Sequence, residues 1–252
     1  MGDVRVETAD RVMVITLDRA SKKNAITDAM YGEIAAALVH AAGDDEIRVA
    51  VLAGDGADFC AGNDISMFAD SAAGKGDIAT SNVGPFLSAL STFPKPLVAI
   101  VSGRAIGVGV TMLLHCDLVY VATDARLTLP FVDLGLVPEA GSAWLLPQRI
   151  GHARAFALIA LGERLSGTDA AALGLANLAL PTTDLAPAAM AAARTLAGKP
   201  PSALAATKKL MRDAAAIEAA MAADREAFLA QLATPEAAAA FAAFAARKSA
   251  TT

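Results

Sequence analysis

Glu139 is the side chain of this sequence with the clearest capacity for chemistry. It stands in a run rich in apolar residues, glycine and proline, residues 129–142 (LPFVDLGLVPEAGS). Burial in such surroundings disfavours a charged carboxylate and raises its pKa, so Glu139 could act as a general base or acid. The alternative interpretation is an N-cap or first-turn acid of a helix that begins near Gly141.

Two glycine-containing loops could supply main-chain N–H groups to a developing negative charge. Residues 59–65 (FCAGNDI) and 102–111 (SGRAIGVGVT) each follow a predicted strand and could open a helix. The first N–H groups of a helix have no partner within it, which suits them to bind an anion. Taken alone, the first loop is more typical of a helix cap. The second is not a nucleotide loop, because no Gly-Lys-Ser/Thr follows and Met112 stands where a third glycine would be needed.

Alternating strands and helices must position these loops. Hydrophobic periodicity predicts a hairpin at 4–7 and 11–17, strands at 49–53, 97–101 and 118–122, and helices at 28–42, 78–91 and 107–115. Repeated strand–helix units favour a mostly parallel sheet. Beyond residue 151 the only strand signal is at 178–180, and helices are predicted at 152–161, 169–173, 185–198, 202–213, 217–232 and 235–247. We therefore predict an α/β core over residues 1–195 and a helical region over 196–252.

Composition excludes several classes of function. The 252 residues are 55% apolar and carry a net charge of -5, but no apolar run approaches the ~20 residues that a membrane span requires. The acidic balance argues against a nucleic-acid partner. Cys60 and Cys116 have neither disulfide-framework nor metal-ligand spacing, so we expect no metal site and a reducing, cytoplasmic location.

The segments at 59–65, 102–111 and 129–142, in this order and spacing, resemble those of the enoyl-CoA hydratase/isomerase (crotonase) superfamily. The resemblance extends over essentially the whole chain. Further matching pieces are LDR and KNA within 17–25, KPLVA at 95–99, HCDL at 115–118, and LSG, A and GL within 165–175. It implies a spiral of β-β-α units with a helical C-terminal region that mediates trimer contacts, hence a homotrimer or a dimer of trimers.

The resemblance also implies a substrate and a site. An acyl-CoA thioester would be the substrate, with no cofactor besides the coenzyme A of that substrate. Its enolate would be held by the main-chain N–H groups of Asn63 and Val108. The residues implied for coenzyme A binding are Lys22, Lys23, Ala25, Ala61, Gly62, Asp64 and Ile65, although the two lysines are equally typical of a solvated surface. The acyl pocket would involve Met67, Phe68, Thr111, Phe131 and Trp144. Arg247 and Lys248 could replace a basic pair that the family commonly carries in its last helix.

The chain departs from the hydratase pattern at two positions. Hydratases of the family use two glutamates, and the matching residues here are Thr111 and Phe131, which cannot act as carboxylate bases. Glu139 matches the acid of the Δ3,Δ2-enoyl-CoA isomerase branch. A single base suffices for a 1,3-proton shift, so the sequence favours an isomerase. A 2-enoyl-CoA hydratase and an acyl-CoA-binding scaffold with little turnover remain the alternatives.

Overall fold

The computed structural model describes residues 2–64 and 80–249. The strands are β1 (Val4–Ala9), β2 (Val12–Leu17), β3 (Val49–Gly54), β4 (Leu97–Val101), β5 (Arg104–Ile106), β6 (Leu118–Ala122), β7 (Arg126–Thr128), β8 (Arg164–Ser166) and β9 (Leu178–Leu180). The helices are α1 (Asp28–Gly43), α2 (Val83–Thr92), α3 (Val108–Thr111), α4 (Ser142–Ile150), α5 (His152–Ala160), α6 (Gly167–Ala172), α7 (Thr182–Ala197), α8 (Pro201–Met211), α9 (Ala214–Leu232) and α10 (Pro235–Ser249).

The larger sheet has the strand order β1-β2-β3-β4-β6-β9. Only the β1–β2 hairpin is antiparallel among these pairs of the described chain. Alternation along β2 sends Met13, Ile15 and Leu17 into the main core, while Val12 faces the other side of the sheet. The carboxyl ends of parallel strands meet at one edge, so β3 and β4 deliver their following loops to the same place.

A smaller sheet, β5-β7-β8, supports the loops that follow β3 and β4. The sequence interpretation missed it because each strand has only three residues and begins with arginine, so that none shows an apolar run or a periodic pattern. A bridge between Cys60 and Ala105 joins the loop after β3 to β5.

The helical predictions were close, with two differences. Thr27 caps α1 through its hydroxyl, which accepts the Met30 N–H at 3.3 Å. The predicted helix at 107–115 is instead the short α3 followed by a 3-10 turn, Met112–His115. Helix α2 begins at Val83, and the earlier part of its predicted span is partly outside the described residues.

The C-terminal helices pack in two places. Helix α7 covers one face of the larger sheet, where Ala189 and Ala193 are fully buried against Val49, Val51 and Val98. Helix α9 runs beside α4 and α2. In the described part of the chain, no helix combines the length and apolar character needed to cross a membrane.

Candidate active site

A cavity of about 790 Å³ opens between the core and the C-terminal helices. Its walls combine residues of α1, α2, α8 and α9 with the loop that carries Glu139. The lining residues include Tyr31, Asn63, Val83, Leu87, Phe93, Glu139, Lys208, Arg212, Ile217, Glu218, Met221, Arg225 and Phe228. The lining combines apolar side chains with polar and charged ones, and a concave site of this kind suits a small molecule.

Glu139 lies half-buried in the wall of this cavity. Desolvation raises its pKa to about 7, against the opposing effect of a hydrogen bond from the Thr111 hydroxyl. The negative charge of Asp224 raises it further. A carboxyl group that titrates near neutral pH can both accept and return a proton.

The main-chain N–H groups of Asn63 and Val108 are free among the described residues. Their neighbours are not: the Asp64 N–H donates to Ile26 O at 2.8 Å, and the Gly107 N–H donates to Thr128 O at 2.9 Å. Val108 is the first residue of α3, where an N–H has no partner within the helix. Asn63 lines the cavity, whereas Val108 is 3% exposed and is not among the lining residues. The joint role of the two N–H groups in holding an enolate stays a prediction.

Glycine allows the two loops to approach each other. A Cβ on Gly109 would lie 2.8 Å from Cys60 O, and a Cβ on Gly62 would lie 3.0 Å from Ile106 O. Gly62 also has a φ of +91°, which side chains disfavour. Tyr31 holds the side chain of Asn63, in the first of these loops, by donating its hydroxyl hydrogen to Asn63 Oδ1.

The described residues predicted to bind coenzyme A lie on two adjoining segments, one of which contains Asn63 of the cavity wall. Ala61 N–H donates to Lys23 O at 2.9 Å, and Ile26 N–H donates to Gly62 O at 2.8 Å, so the segments 22–26 and 61–64 run side by side. Lys22 and Lys23 are exposed. Arg19, which sequence reasoning missed, joins the two segments by donating to Ala25 O at 3.0 Å and to Asp64 Oδ2 at 2.6 Å. Binding of coenzyme A by these segments stays a prediction.

The predicted acyl-pocket residues have different positions. Thr111 is fully buried beneath Glu139, and Phe131 is 6% exposed within the main core. Trp144 packs on the outside of that core. None of the three is among the residues that line the cavity. Ile65, Met67 and Phe68 lie outside the described residues, and Arg247 and Lys248 fall in α10 without described side chains.

Sequence reasoning missed the lining that α9 supplies. Ile217, Met221 and Phe228 all face the cavity. The four-residue step between Ile217 and Met221 was a signal for one apolar face of α9. The position of that face against Glu139 depends on long-range packing and had no local signal.

The burial of Cys60 and Cys116 and the hydrogen bonds of Lys208 indicate structural roles for these side chains. Burial raises the pKa of the Cys60 and Cys116 thiols to about 12 each, which leaves them protonated and poorly nucleophilic. Lys208 donates to Asp117 Oδ2 at 2.7 Å and to Lys95 O at 2.8 Å. Within residues 2–64 and 80–249, His, Cys, Asp and Glu side chains form no group of three or more that could hold a metal ion.

Comparison with known proteins identifies the family. The profile of the enoyl-CoA hydratase/isomerase family matches residues 7–250, and the chain belongs to that family. A probable enoyl-CoA hydratase of Rhodobacter capsulatus is 37% identical over 82% of this chain and 79% of its own length. The enoyl-CoA delta isomerase 2 of Rattus norvegicus is 34% identical over 83% of this chain, which spans 54% of that longer relative.

A solved structure agrees over nearly the full length. Pseudomonas aeruginosa OdaA superposes with a TM-score of 0.92 at 43% identity, and the match covers 97% of this chain and 99% of that one. The predicted family and the crotonase-like α/β fold with C-terminal helices are therefore confirmed. Relatives bear the names of both hydratases and isomerases, so the family does not decide between hydration and isomerisation.

Proposed function

We propose that the protein is an enoyl-CoA isomerase that moves the double bond of a 3-enoyl-CoA to the 2-position. The observation that carries this proposal is the half-buried Glu139 in the cavity wall, with a pKa raised to about 7. The two positions at which hydratases of the family carry glutamate hold Thr111 and Phe131. Glu139 is thus the group best suited to a reversible proton transfer.

The reaction needs one base and one anion site. Glu139 removes a proton from C2, and the electron pair of that C–H bond flows into the thioester carbonyl to give a dienolate. The N–H groups of Asn63 and Val108 hold the oxyanion, each contributing about 3 kcal/mol of transition-state stabilisation. Glu139 then returns its proton to C4, which leaves the double bond between C2 and C3. No atom is gained or lost.

The apolar side chains that α9 contributes to the cavity wall support isomerisation over hydration. Ile217, Met221 and Phe228 present side chains that cannot orient a water molecule. Among the described residues, the other carboxylate that lines the cavity is Glu218, which is exposed on α9. Hydration requires an activated water as well as a proton donor, whereas a 1,3-proton shift is favoured where water is kept out.

Separate assays with 3-enoyl-CoA and 2-enoyl-CoA test this function. We expect the wild-type protein to isomerise the first, and Glu139→Gln to lose 10²- to 10⁴-fold in kcat, the usual range for a general base. Glu218→Gln, which removes the second cavity carboxylate, and Asp133→Asn, on an exposed residue of the same segment, serve as matched controls. Fast hydration that survives Glu139→Gln would favour a hydratase. Tight binding without turnover of either substrate would favour a scaffold.

We also propose a homotrimer or a dimer of trimers that acts on acyl-CoA in the cytoplasm. Four large apolar side chains, Phe156, Leu161, Leu210 and Met211, are 61%, 68%, 87% and 81% exposed in the single chain. Exposed apolar residues of this size support burial against a second copy. Light scattering on the purified protein should give three or six times the 25.5 kDa chain mass, and a monomer would contradict the proposal.

A further inference from the structure

The turn that presents Glu139 to the cavity, residues 139–142, adopts a backbone that must be held in place. Ala140 has a φ of +61° and Gly141 a φ of +70°. The left-handed conformation is uncommon for a residue with a Cβ, such as Ala140, and persists when its surroundings enforce it. One constraint is local, because the Ser142 N–H donates to Glu139 O at 3.0 Å. Two others come from distant parts of the chain.

The first distant constraint runs from Arg212 through His115. His115 Nε2 lies 2.8 Å from Ala140 O. Since a carbonyl oxygen only accepts, Nε2 carries the hydrogen, and Nδ1 is left as an acceptor. Arg212 Nη2 lies 3.3 Å from that Nδ1, and Arg212 Nη1 donates to His115 O at 3.1 Å. The Arg212 guanidinium thus fixes the His115 ring in the orientation that donates a hydrogen bond to Ala140 O.

The second distant constraint is Asp224 of α9. The N-cap residue of α4 is Gly141, which has no side chain to satisfy the first N–H groups of that helix. Asp224, only 8% exposed, supplies the missing acceptor: the Ala143 N–H lies 3.5 Å from its Oδ2. Burial raises the pKa of Asp224 to about 6, and the N–H groups of Ala143, Gly141 and Ser142 oppose that rise by stabilising the charged carboxylate. A helix of the C-terminal region therefore caps the helix that begins directly after Glu139.

We propose that Arg212, acting through His115, and Asp224, acting through the start of α4, are positioning residues that hold the Glu139 carboxylate at the cavity. Both lie in the C-terminal helical region and neither is required to touch the reacting atoms. This inference deepens the proposed function, because it assumes that Glu139 is the group that moves the proton. It makes the C-terminal region part of the catalytic apparatus rather than only a packing surface.

The polar and charged groups around Glu139 determine the pH at which its carboxyl group titrates. Thr111 donates to Glu139 from α3, and Asp224 faces it from α9 with a negative charge. Tyr31 faces the same cavity from α1. His115 is neutral, since burial lowers its pKa to about 4. Removal of the Asp224 charge should therefore lower the pH midpoint at which Glu139 titrates.

Three substitutions test the proposal by steady-state kinetics. We expect Asp224→Asn and Arg212→Gln to lower kcat by ~10- to 100-fold, the scale of a small misplacement of a catalytic group. For Asp224→Asn, whose side chain is not among those that line the cavity, the KM and the Kd for a saturated acyl-CoA should stay within about twofold. Arg212→Lys should recover part of the kcat that Arg212→Gln loses. Glu226→Gln, an exposed neighbour of Asp224 on α9, is the matched control. Unchanged kcat in both variants, or a Kd of Asp224→Asn that weakens in proportion to its kcat, would overturn the positioning role.

Two NMR measurements keep the test independent of the reaction. The Glu139 carboxyl carbon, assigned by its loss in Glu139→Gln, should titrate at lower pH in Asp224→Asn than in wild type. In the unmodified protein, His115 should be the neutral Nε2–H tautomer, and an Nδ1–H tautomer would overturn the proposal even if every variant misfolds. If these signals behave as expected but 3-enoyl-CoA is not consumed, the proposed function fails while the positioning inference stands. If isomerisation depends on Glu139 but the variants keep full kcat, only the inference fails.

Discussion

Thr111 donates its hydroxyl hydrogen to Oε1 of Glu139 across 28 positions of sequence. Thr111 is fully buried, so this contact is shielded from water. The family resemblance places Thr111 at a position where hydratases carry a glutamate. Its hydroxyl is here a hydrogen-bond partner of the Glu139 carboxylate and opposes the effect of burial on the Glu139 pKa.

The substitution Thr111→Val should raise the pH midpoint of the reaction. The hydroxyl stabilises the charged carboxylate and opposes the effect of burial on the pKa, so its removal shifts the Glu139 pKa further upwards. A hydrogen bond to a charged group is worth about 1.5–3 kcal/mol. The pH dependence of kcat/KM measures the shift, and Thr128→Val, a partly buried threonine of β7, is the control. A midpoint that moves downwards would contradict the assignment of Glu139 as the base.

Much of the core could be predicted from sequence because its elements are long enough to show their period. The strand at 49–54 is a run of buried apolar residues, and the helix at 28–43 has a threonine cap. The three-residue strands β5, β7 and β8 were missed, since each begins with arginine and shows no apolar run, whereas the equally short β9 is the wholly apolar LAL. The pairing of β5, β7 and β8 into a second sheet depends on contacts between segments that are far apart in the sequence.

The candidate site likewise contains residues that the sequence revealed and residues that it did not. Glu139 was identifiable because a lone carboxylate in an apolar, glycine- and proline-rich run is unusual. The Asn63 and Val108 N–H groups were placed only through a family resemblance, because any residue can supply a main-chain donor. Arg212 and Asp224 were missed because their partners are distant in sequence. Arg212 contacts His115, 97 positions away, and Asp224 contacts Ala143, 81 positions away. No local pattern encodes such a contact.

Tyr31→Phe should lower kcat modestly while leaving the fold intact. The ring packs against Phe86 with centroids 5.0 Å apart, and phenylalanine preserves that contact. The lost hydroxyl would free the Asn63 side chain and loosen one of the two predicted oxyanion donors. A hydrogen bond of about 0.5–1.5 kcal/mol corresponds to roughly 2- to 12-fold in kcat. Tyr120→Phe, in β6, is the matched control, and equal effects of the two substitutions would argue against a specific role for Tyr31.

Gly109→Ala should reduce both stability and activity. A Cβ at this position would lie 2.8 Å from Cys60 O and 2.9 Å from Cys60 Cβ, so the two loops that carry the N–H donors must move apart. Overpacking of this kind costs about 1–3 kcal/mol. Urea denaturation and kcat should fall together. Gly43→Ala, where an added Cβ meets nothing within 4 Å, should change neither, and a Gly109→Ala protein with wild-type kcat would show that loop separation is unimportant.

Glu139→Gln should stabilise the protein at pH 8 while abolishing its proton transfer. The folded pKa of Glu139 is about 7 against an ordinary value of 4.5, so between these values the folded state holds a proton that the unfolded state has lost. Stability therefore falls as pH rises from 4.5 to 7 and stays reduced above that range. The neutral glutamine avoids this cost, which is at most about 3 kcal/mol. Denaturation of both proteins at pH 5 and pH 8 measures the difference, with Asp133→Asn as the exposed control. We expect the two proteins to be nearly equal in stability at pH 5 and glutamine to be favoured at pH 8; a difference independent of pH would mean that the carboxylate is not held in an unfavourable charged state.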